Sequence, residues 1–159
     1  MEKDAQSEIQ FRSAMDTAVG LLSRRAHTAH ELSLKLKKRR IRGEIIERVV
    51  AECTRLNYID DEDTSRLYLN ELKSKGYGRR HVRNAMRKKG LAADTIEDTL
   101  EQGYSNSEER ENAERMVEKK QSAFNREKDQ RKRKSKIYRY LYSRGFSPDV
   151  ITAAINKRS

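Results

Sequence analysis

The sequence Asn57-Tyr58-Ile59-Asp60-Asp61 predicts the end of one helix and the start of the next. Asn57 tolerates a left-handed backbone, which commonly ends a helix. Asp60 and Asp61 offer a capping side chain and negative charge to the N-terminus of a new helix. Between these signals, Tyr58 and Ile59 form a short apolar pair that can enter a core. We interpret this stretch as a tight seam between two helical units, with Tyr58, Ile59, Asp60 and Asp61 as its characteristic residues.

The composition on both sides of this seam favours helices. Of the 159 residues, 38% are charged and 35% are hydrophobic, Trp is absent and Pro occurs once. Abundant Lys, Arg, Glu, Ala and Leu suit exposed helices, whereas a β-rich core requires more aromatic and β-branched residues. With so few apolar residues, several thin cores are favoured over one thick core. The sequence therefore predicts an all-α protein.

The charge balance predicts an anionic partner. The formal net charge is +11 and the pI is about 9.8, which favours nucleic acid, a nucleoprotein or an acidic protein groove. Cys53 is the only cysteine, so no intramolecular disulfide forms and a reducing cytoplasmic location is expected. No apolar run approaches the roughly 18 residues of a membrane span, and the polar N-terminus does not resemble a signal peptide.

Apolar residues recur at fixed positions in three segments of the chain. The anchors Ile41, Leu91 and Phe146 lie 50 and then 55 residues apart, and each has apolar residues five and nine positions before and after it. The four further columns are Leu32, Val82 and Ile137; Leu36, Met86 and Leu141; Ile46, Ile96 and Ile151; and Val50, Leu100 and Ile155. The spacing of four puts each pair on one helix face. Five matching columns indicate a repeated unit of helix, turn, helix, tight turn and helix.

This repeat divides the chain into three tandem three-helix modules. The predicted bounds are a flexible N-terminal lead at 1–10, then modules at 11–59, 60–103 and 104–159, with a first helix from about Phe11 to Ser23. A unit of this size buries little surface alone. We therefore expect neighbouring modules to lean on one another and to form an elongated, curved body.

Basic residues of the second module are the strongest candidates for a partner contact. Arg80, Arg83 and Arg87 are three and four residues apart and share a helix face, with Arg79 and Lys88 beside them. Arginine binds phosphate or carboxylate with a planar fork. Like charges stacked in this way destabilise a helix unless a partner is present, so contact is favoured over a merely solvated face.

Two further basic groups are weaker candidates. Arg24 and Arg25 precede the capping sequence Thr28-Ala29-His30-Glu31, where they either bind an anion or serve as turn and packing residues. The second group is the run Arg131, Lys132, Arg133 and Lys134. This run either touches DNA or an acidic surface, or is simply solvated.

For the remaining motifs we prefer a structural role to a functional one. Tyr138, Tyr140 and Tyr142 either stack on bases or, as we prefer, place at least one pair in the core. His27 and His30 lack a further ligand set at suitable spacing, so we expect no metal. Phosphate-loop, nucleophile-elbow and zincin patterns are missing from the sequence. We expect neither enzymatic activity nor a cofactor.

Three strings of the sequence resemble the RecX family of bacterial recombinase regulators. They are Arg24-Arg25-Ala26-His27-Thr28-x-x-Glu31-Leu32-x-x-Lys35-Leu36; Asn57 to Asp61, similar to the family's Gly-Tyr-Leu-Asp-Asp; and Lys75-Gly76-Tyr77-Gly78 followed by Arg79-Arg80-x-Val82-Arg83 and Lys88-Lys89-Gly90-Leu91. The resemblance covers about Ala14 to Leu100 well, and Ala113 to Ile155 more loosely. Asn57 and Arg40 stand where the family favours glycine, so both positions are expected to be left-handed, at a cost of about 1 kcal/mol for Arg40.

The resemblance implies a regulator of homologous recombination and the SOS response. It implies three three-helix modules that bind the RecA filament on single-stranded DNA, lie along its deep groove, and lower RecA strand-exchange, ATPase and coprotease activities. We expect a monomer that does not bind membranes. A basic DNA-binding protein that acts on recombination indirectly is the alternative, and direct DNA contact is compatible with both.

Overall fold

The structure, a computed structural model, describes residues 1–158 and contains ten helices and no strand in that range. In chain order the helices are α1 (Glu2–Leu22), α2 (Ala29–Lys38), α3 (Gly43–Arg55), α4 (Asp61–Ser74), α5 (Arg79–Lys88), α6 (Ala93–Gly103), α7 (Asn106–Lys119), α8 (Gln121–Asn125), α9 (Gln130–Ser143) and α10 (Pro148–Asn156). The predicted all-α fold is confirmed.

The helices form three modules, each with its own apolar core. Module 1 contains α1 to α3, module 2 contains α4 to α6, and module 3 contains α7 to α10. All five columns of the sequence repeat lie in or against these cores, with only Ile41, Val50 and Ile155 half-buried. The tandem repeat is therefore confirmed, because the regularly spaced apolar residues form the inner helix faces of each module.

Local capping sets where the helices begin. Thr28 accepts a hydrogen bond from the Glu31 amide at 3.1 Å, while the Glu31 carboxylate accepts from the Thr28 amide at 3.1 Å. This capping box starts α2 as predicted. Ser147 caps α10, which has Pro148 at its first position.

The turn before the last helix of each module contains a left-handed residue. These residues are Arg40 (φ 61°), Gly90 (φ 73°) and Gly145 (φ 88°), and Asn57 is also left-handed (φ 57°), so both predicted non-glycine positions are confirmed. A Cβ at Gly90 would overlap His30 of module 1, and a Cβ at Gly145 would overlap His81 of module 2. Arg40 is tolerated because the turn that contains it is not pressed against another module of this chain. Its remaining cost is backbone strain of about 1 kcal/mol.

The predicted start of the first helix was wrong. The sequence indicated a frayed lead before Phe11, but α1 begins at Glu2. Glu2 and Asp4 place negative charge at the positive end of the helix dipole. One turn before Phe11, Glu8 pairs with Arg48 of α3 at 3.1 Å. This ion pair holds the first part of α1 against α3. The sequence did not predict it, because this part of the helix has little apolar periodicity.

Module 3 differs from the other two modules in having a fourth, short helix after its first one. The helix α7 ends at Lys119, and Phe124 belongs to the short helix α8. Helix α9 then begins at Gln130, so it has one more N-terminal turn than the equivalent helix α5. The run from Arg131 to Lys134 lies on this turn.

Candidate partner-binding surface

The acidic pair at the first seam caps two different helices. Asp60 accepts a hydrogen bond from the Asp63 amide at 3.0 Å and caps its own helix, α4. Asp61 instead accepts from the Ala29 amide at 2.9 Å, at the start of α2 in module 1. Of the apolar pair, Ile59 is buried in the module 1 core, whereas Tyr58 is 53% exposed. The motif therefore fastens module 2 to module 1.

A second group of contacts completes seam 1, the interface between modules 1 and 2. The Thr28 hydroxyl donates to the Lys89 carbonyl at 2.7 Å. The Lys89 ammonium pairs with Glu31 at 2.8 Å and lies 4.4 Å from the centroid of the Tyr68 ring. Burial opposes ionisation of Glu31, but the hydrogen bonds from Lys89 and the Thr28 amide outweigh it and lower the pKa of this carboxyl.

Seam 2, the interface between modules 2 and 3, repeats the same two contacts. The Arg79 amide donates to Glu109 at 3.0 Å, as the Ala29 amide does to Asp61. The Gly78 amide donates to the Arg144 carbonyl at 2.9 Å, in the position where Thr28 donates to Lys89. In each seam, a carboxylate and a turn carbonyl of one module thus accept hydrogen bonds from residues at the start of the middle helix of the preceding module.

Seam 2 brings the backbones of modules 2 and 3 into direct contact. A Cβ at Gly78 would lie 2.5 Å from the Gly145 carbonyl carbon, so backbone meets backbone here. Glu109 is only 3% exposed. Burial raises the pKa of Glu109, against the opposing effect of the hydrogen bond from the Arg79 amide. The His81 ring stacks on Tyr77 with centroids 3.8 Å apart, and burial lowers the pKa of this imidazole.

Three of the five basic candidates in module 2 have partners within the chain. Arg79 donates to the Asn106 side chain at 3.1 Å. Arg83 forms a two-point pair with Glu97 at 2.7 and 3.2 Å. Arg80 lies 3.9 Å above the Tyr142 ring and donates to the Tyr142 carbonyl. These arginines lie on one helix as predicted, but Arg83 is paired with a carboxylate, and Arg79 and Arg80 are in contact with module 3.

Arg87 and Lys88 are the exposed members of this group. The nearest partner of Arg87 is the Asn84 side chain at a long 3.5 Å. The Lys88 ammonium makes no hydrogen bond or ion pair with any residue in 1–158. The cationic groups that remain available at the end of α5 are therefore Arg87 and Lys88.

The other basic candidates divide in the same way. In module 1, Arg25 pairs with Glu31 at 3.4 Å, whereas Arg24 is exposed without an ion pair among the described residues. In module 3, Arg133 donates to the Glu127 carbonyl at 2.9 Å and is half-buried. An open groove of about 500 Å³ lies on α9, lined by Arg131, Lys132, Ser135, Lys136 and Arg139 together with Glu127 and Asp129. Lys134, which is half-buried, lies outside this groove and borders another.

Sequence reasoning missed two features of the surface. The exposed end of α2 and the turn that follows it contain the cations Lys37, Lys38, Arg39, Arg40 and Arg42. Four of them are consecutive in the sequence, which is a signal that a search for charge runs detects. The preferred placement of the tyrosines was also wrong, because Tyr140 alone packs on Phe124, while Tyr138 and Tyr142 form an exposed stacked pair.

The groups with potential chemistry have structural partners. His27 is buried, its ring bonds to the Arg25 carbonyl at 2.9 Å and to the Lys35 ammonium at 2.8 Å, and burial lowers its pKa. Cys53 is buried, and burial raises the pKa of its thiol. No group of three or more His, Cys, Asp or Glu side chains suited to a metal occurs within residues 1–158. Over the same range, each helix is too short or too polar to cross a bilayer.

Three helical modules joined by repeated seams define a tandem helical array with a net positive charge. Models of the first, second and third three-helix domains of RecX match residues 14–53, 60–100 and 107–155. Regulatory protein RecX of Deinococcus radiodurans is 35% identical over 150 residues, which cover 94% of this chain and 70% of that protein. The Haemophilus influenzae (strain PittEE) protein is 34% identical over 145 residues, with 91% and 93% covered. The chain therefore belongs to the RecX family of regulatory proteins.

Solved structures support the fold assignment. The crystal structure of RecX from Lactobacillus salivarius superposes with a TM-score of 0.86 over 94% of this chain and 97% of that one. The sequence identity is 22%, so this similarity concerns the fold.

Proposed function

We propose that this chain binds the RecA filament on single-stranded DNA and inhibits RecA recombinase, ATPase and coprotease activities. Family membership gives the regulatory role, and the observation that carries the proposal is the repeated seam. Each seam joins consecutive modules through backbone and carboxylate contacts. An array of fixed geometry suits a partner that itself repeats, as a protein filament does. The chain acts by binding and not by catalysis, in the cytoplasm.

Cations without a close partner are present in all three modules. They include Arg24 in module 1, Arg87 and Lys88 in module 2, and Arg131 and Lys132 in module 3. A filament that holds nucleic acid offers phosphates and acidic side chains to such groups. We expect the contact to depend more on Arg87 and Lys88 than on Arg80 and Arg83, because the latter pair stabilises the fold.

The test is filament binding by a charge-reversal variant. Arg87→Glu with Lys88→Glu should weaken binding to RecA filaments at least tenfold, measured by sedimentation with filaments on single-stranded DNA. Helicity should stay unchanged, since both side chains are exposed. The matched control is Lys3→Glu with Lys119→Glu, which makes the same charge change at exposed sites outside the candidate groups. Equal binding by the two double variants would show that charge at the end of α5 is not the contact.

The array is also expected to be monomeric. The seam uses an open amide at the start of a middle helix, such as that of Gly78. In module 3 the equivalent residue is Arg133, whose amide already donates to the Asp129 carbonyl at 2.9 Å within the longer helix α9. The start of α9 therefore offers no free amide with which a second copy of the chain could form a seam. Light scattering at micromolar concentration should give the monomer mass, and a concentration-dependent dimer would contradict this argument.

A second candidate function is DNA binding with an indirect effect on recombination. The exposed pair of Tyr138 and Tyr142 favours it, since aromatic side chains at the surface stack on unpaired bases. Binding to DNA without RecA, combined with undetectable binding to RecA filaments, would replace the first proposal with this one.

A further inference from the structure

Arg80, Tyr142 and Tyr138 form an exposed stack, here called the tyrosine ladder, where modules 2 and 3 meet. The Arg80 guanidinium lies 3.9 Å from the Tyr142 ring centroid. The Tyr142 and Tyr138 rings follow, with centroids 6.1 Å apart and planes within 12° of each other. Tyr138 is 37% exposed and Tyr142 is 45% exposed. The ladder thus orders two aromatic rings while leaving much of their surface in water.

Core packing does not account for these two rings. Burying an aromatic side chain is strongly favourable, and Tyr140, which lies between them in sequence, does pack against the module 3 core. Tyr138 and Tyr142 instead point away from that core. Arg80 covers only one end of the ladder, so the Tyr138 end has no protein group stacked upon it among residues 1–158.

The ladder continues into the cationic groove of α9. Arg131, Ser135, Tyr138 and Tyr142 are four, three and four residues apart, so they share one helix face. At 1.5 Å per residue this face is about 16 Å long. Arg131 and Ser135 line the groove of about 500 Å³ together with further cations of α9. One strip therefore combines positive charge at one end with stacked rings at the other.

Acidic side chains at the groove are already used. Glu127 pairs with Lys136 at 3.1 Å, and this hydrogen bond is the main cause of its lowered pKa. Asp129 accepts from the Lys132 amide at 3.0 Å and caps α9. Arg131 and Lys132 form no ion pair within residues 1–158, so they are available to an anion.

We propose that this strip binds a short stretch of single-stranded nucleic acid, with phosphates at the α9 cations and a base stacked on Tyr138. Unpaired bases offer free faces to aromatic side chains and cations, and such stacking tolerates any sequence. A duplex has its base faces covered by neighbouring pairs, and an acidic peptide engages the charge without the rings. The site is a direct nucleic-acid contact, and it does not require RecA.

The test uses the natural absence of tryptophan from the chain. In Tyr138→Trp the single indole reports stacking through quenching of its fluorescence. A single-stranded oligonucleotide should quench it, whereas an oligonucleotide of the same length and charge with abasic sites should bind at least tenfold more weakly and quench little. Equal binding and quenching by the two would overturn the proposal.

Variants separate stacking from charge. By anisotropy with a labelled oligonucleotide, Tyr138→Ala should weaken binding about tenfold, as the loss of one stacked base does. Tyr138→Phe, which keeps the ring, should bind as the unchanged chain does. Arg131→Ala should reduce the slope of log affinity against log salt by about 0.7, the value for one phosphate contact on a single strand. Unchanged affinity in Tyr138→Ala would refute the stacking site.

Two competitors complete the experiment. Neither a duplex nor polyglutamate of equal charge should displace the oligonucleotide as well as an unlabelled single strand does. Equal displacement by polyglutamate would mean that the strip is a site for acidic polypeptides, and equal displacement by duplex would mean that it recognises phosphates alone. Either result would overturn the proposal. All measurements omit RecA, so failure here leaves the proposed filament binding to be judged by the Arg87 and Lys88 variant.

Discussion

Removal of the Asp61 carboxylate should loosen the junction between modules 1 and 2. The Ala29 amide of module 1 donates a hydrogen bond to the Asp61 carboxylate at 2.9 Å, and no other side chain of module 2 accepts from this amide. Loss of a helix N-terminal cap destabilises a protein by about 1 kcal/mol, and hydrogen bonds to charged groups contribute about 1.5–3 kcal/mol. We expect Asp61→Ala to lower the free energy of unfolding by about 1–2 kcal/mol. For a chain of this size, the melting temperature should fall by roughly 2–8 °C.

The decisive readout for Asp61→Ala is the distance between modules and not stability alone. Spin labels at Lys37→Cys in module 1 and Glu101→Cys in module 2 occupy exposed sites. Cys53 should stay unlabelled, because it is buried and burial raises the pKa of its thiol. Pulsed electron resonance should give a narrow distance distribution for the parent chain and a broader one for Asp61→Ala.

Asp63→Ala is the matched control for this experiment. It removes the same charge from the first turn of the same helix, where Asp63 pairs only with Arg66 at 3.6 Å within module 2. Its distance distribution should equal that of the parent. If Asp61→Ala and Asp63→Ala give the same distribution, the carboxylate at position 61 does not fix the seam, and the argument fails.

Further predictions concern the turns and the pH response of the two seams. Arg40→Gly relieves left-handed strain and should leave the free energy of unfolding unchanged or raise it by up to about 1 kcal/mol, whereas Gly145→Ala should lower it by about 2–4 kcal/mol through strain and overlap with module 2; urea denaturation compares them, and a destabilised Arg40→Gly would contradict the first. The pKa of Glu31 is lowered in the fold, so its stabilisation is present above the unfolded pKa of about 4.5 and is lost as the pH falls through the folded pKa; Glu31→Gln should destabilise the chain at pH 7 and lose this effect in acid. The pKa of Glu109 is raised, so its ionisation above the folded pKa opposes folding, and Glu109→Gln should stabilise the chain at pH 7 with a gain that disappears below about pH 4. Denaturation at pH 7 and below about pH 4 tests Glu31→Gln and Glu109→Gln. If the stability of the two variants depends on pH in the same way, these two predictions are wrong.

The sequence allowed prediction of features that depend on local spacing. The apolar columns gave three modules because helix faces repeat with the period of the helix. The left-handed turns at Arg40 and Asn57 followed from the resemblance, because the RecX family favours glycine at both positions, and the capping box at Thr28 followed from residues three apart. Each of these features involves residues close in sequence or in equivalent places of the repeat.

Features that depend on contacts between distant residues were not predicted. The helical spacing placed Arg83 on the exposed face of its helix, but spacing does not show that Glu97 on the next helix pairs with Arg83. Asp61 was interpreted as a cap for its own helix, because its partner Ala29 is 32 residues away in another module. At least one pair among Tyr138, Tyr140 and Tyr142 was expected in the core, because their alternation does not show which side of α9 faces solvent.

The central claim is that a geometrically fixed array of helical modules, with a net positive charge over the whole chain, inhibits RecA. The most direct measurement is the rate of ATP hydrolysis by RecA on single-stranded DNA, titrated with the parent chain, Asp61→Ala and Asp63→Ala. We predict that the parent and Asp63→Ala lower the rate at the same concentrations, and that Asp61→Ala requires several-fold more protein for the same inhibition. An unchanged rate with the parent chain, or equal inhibition by all three proteins, would contradict the account.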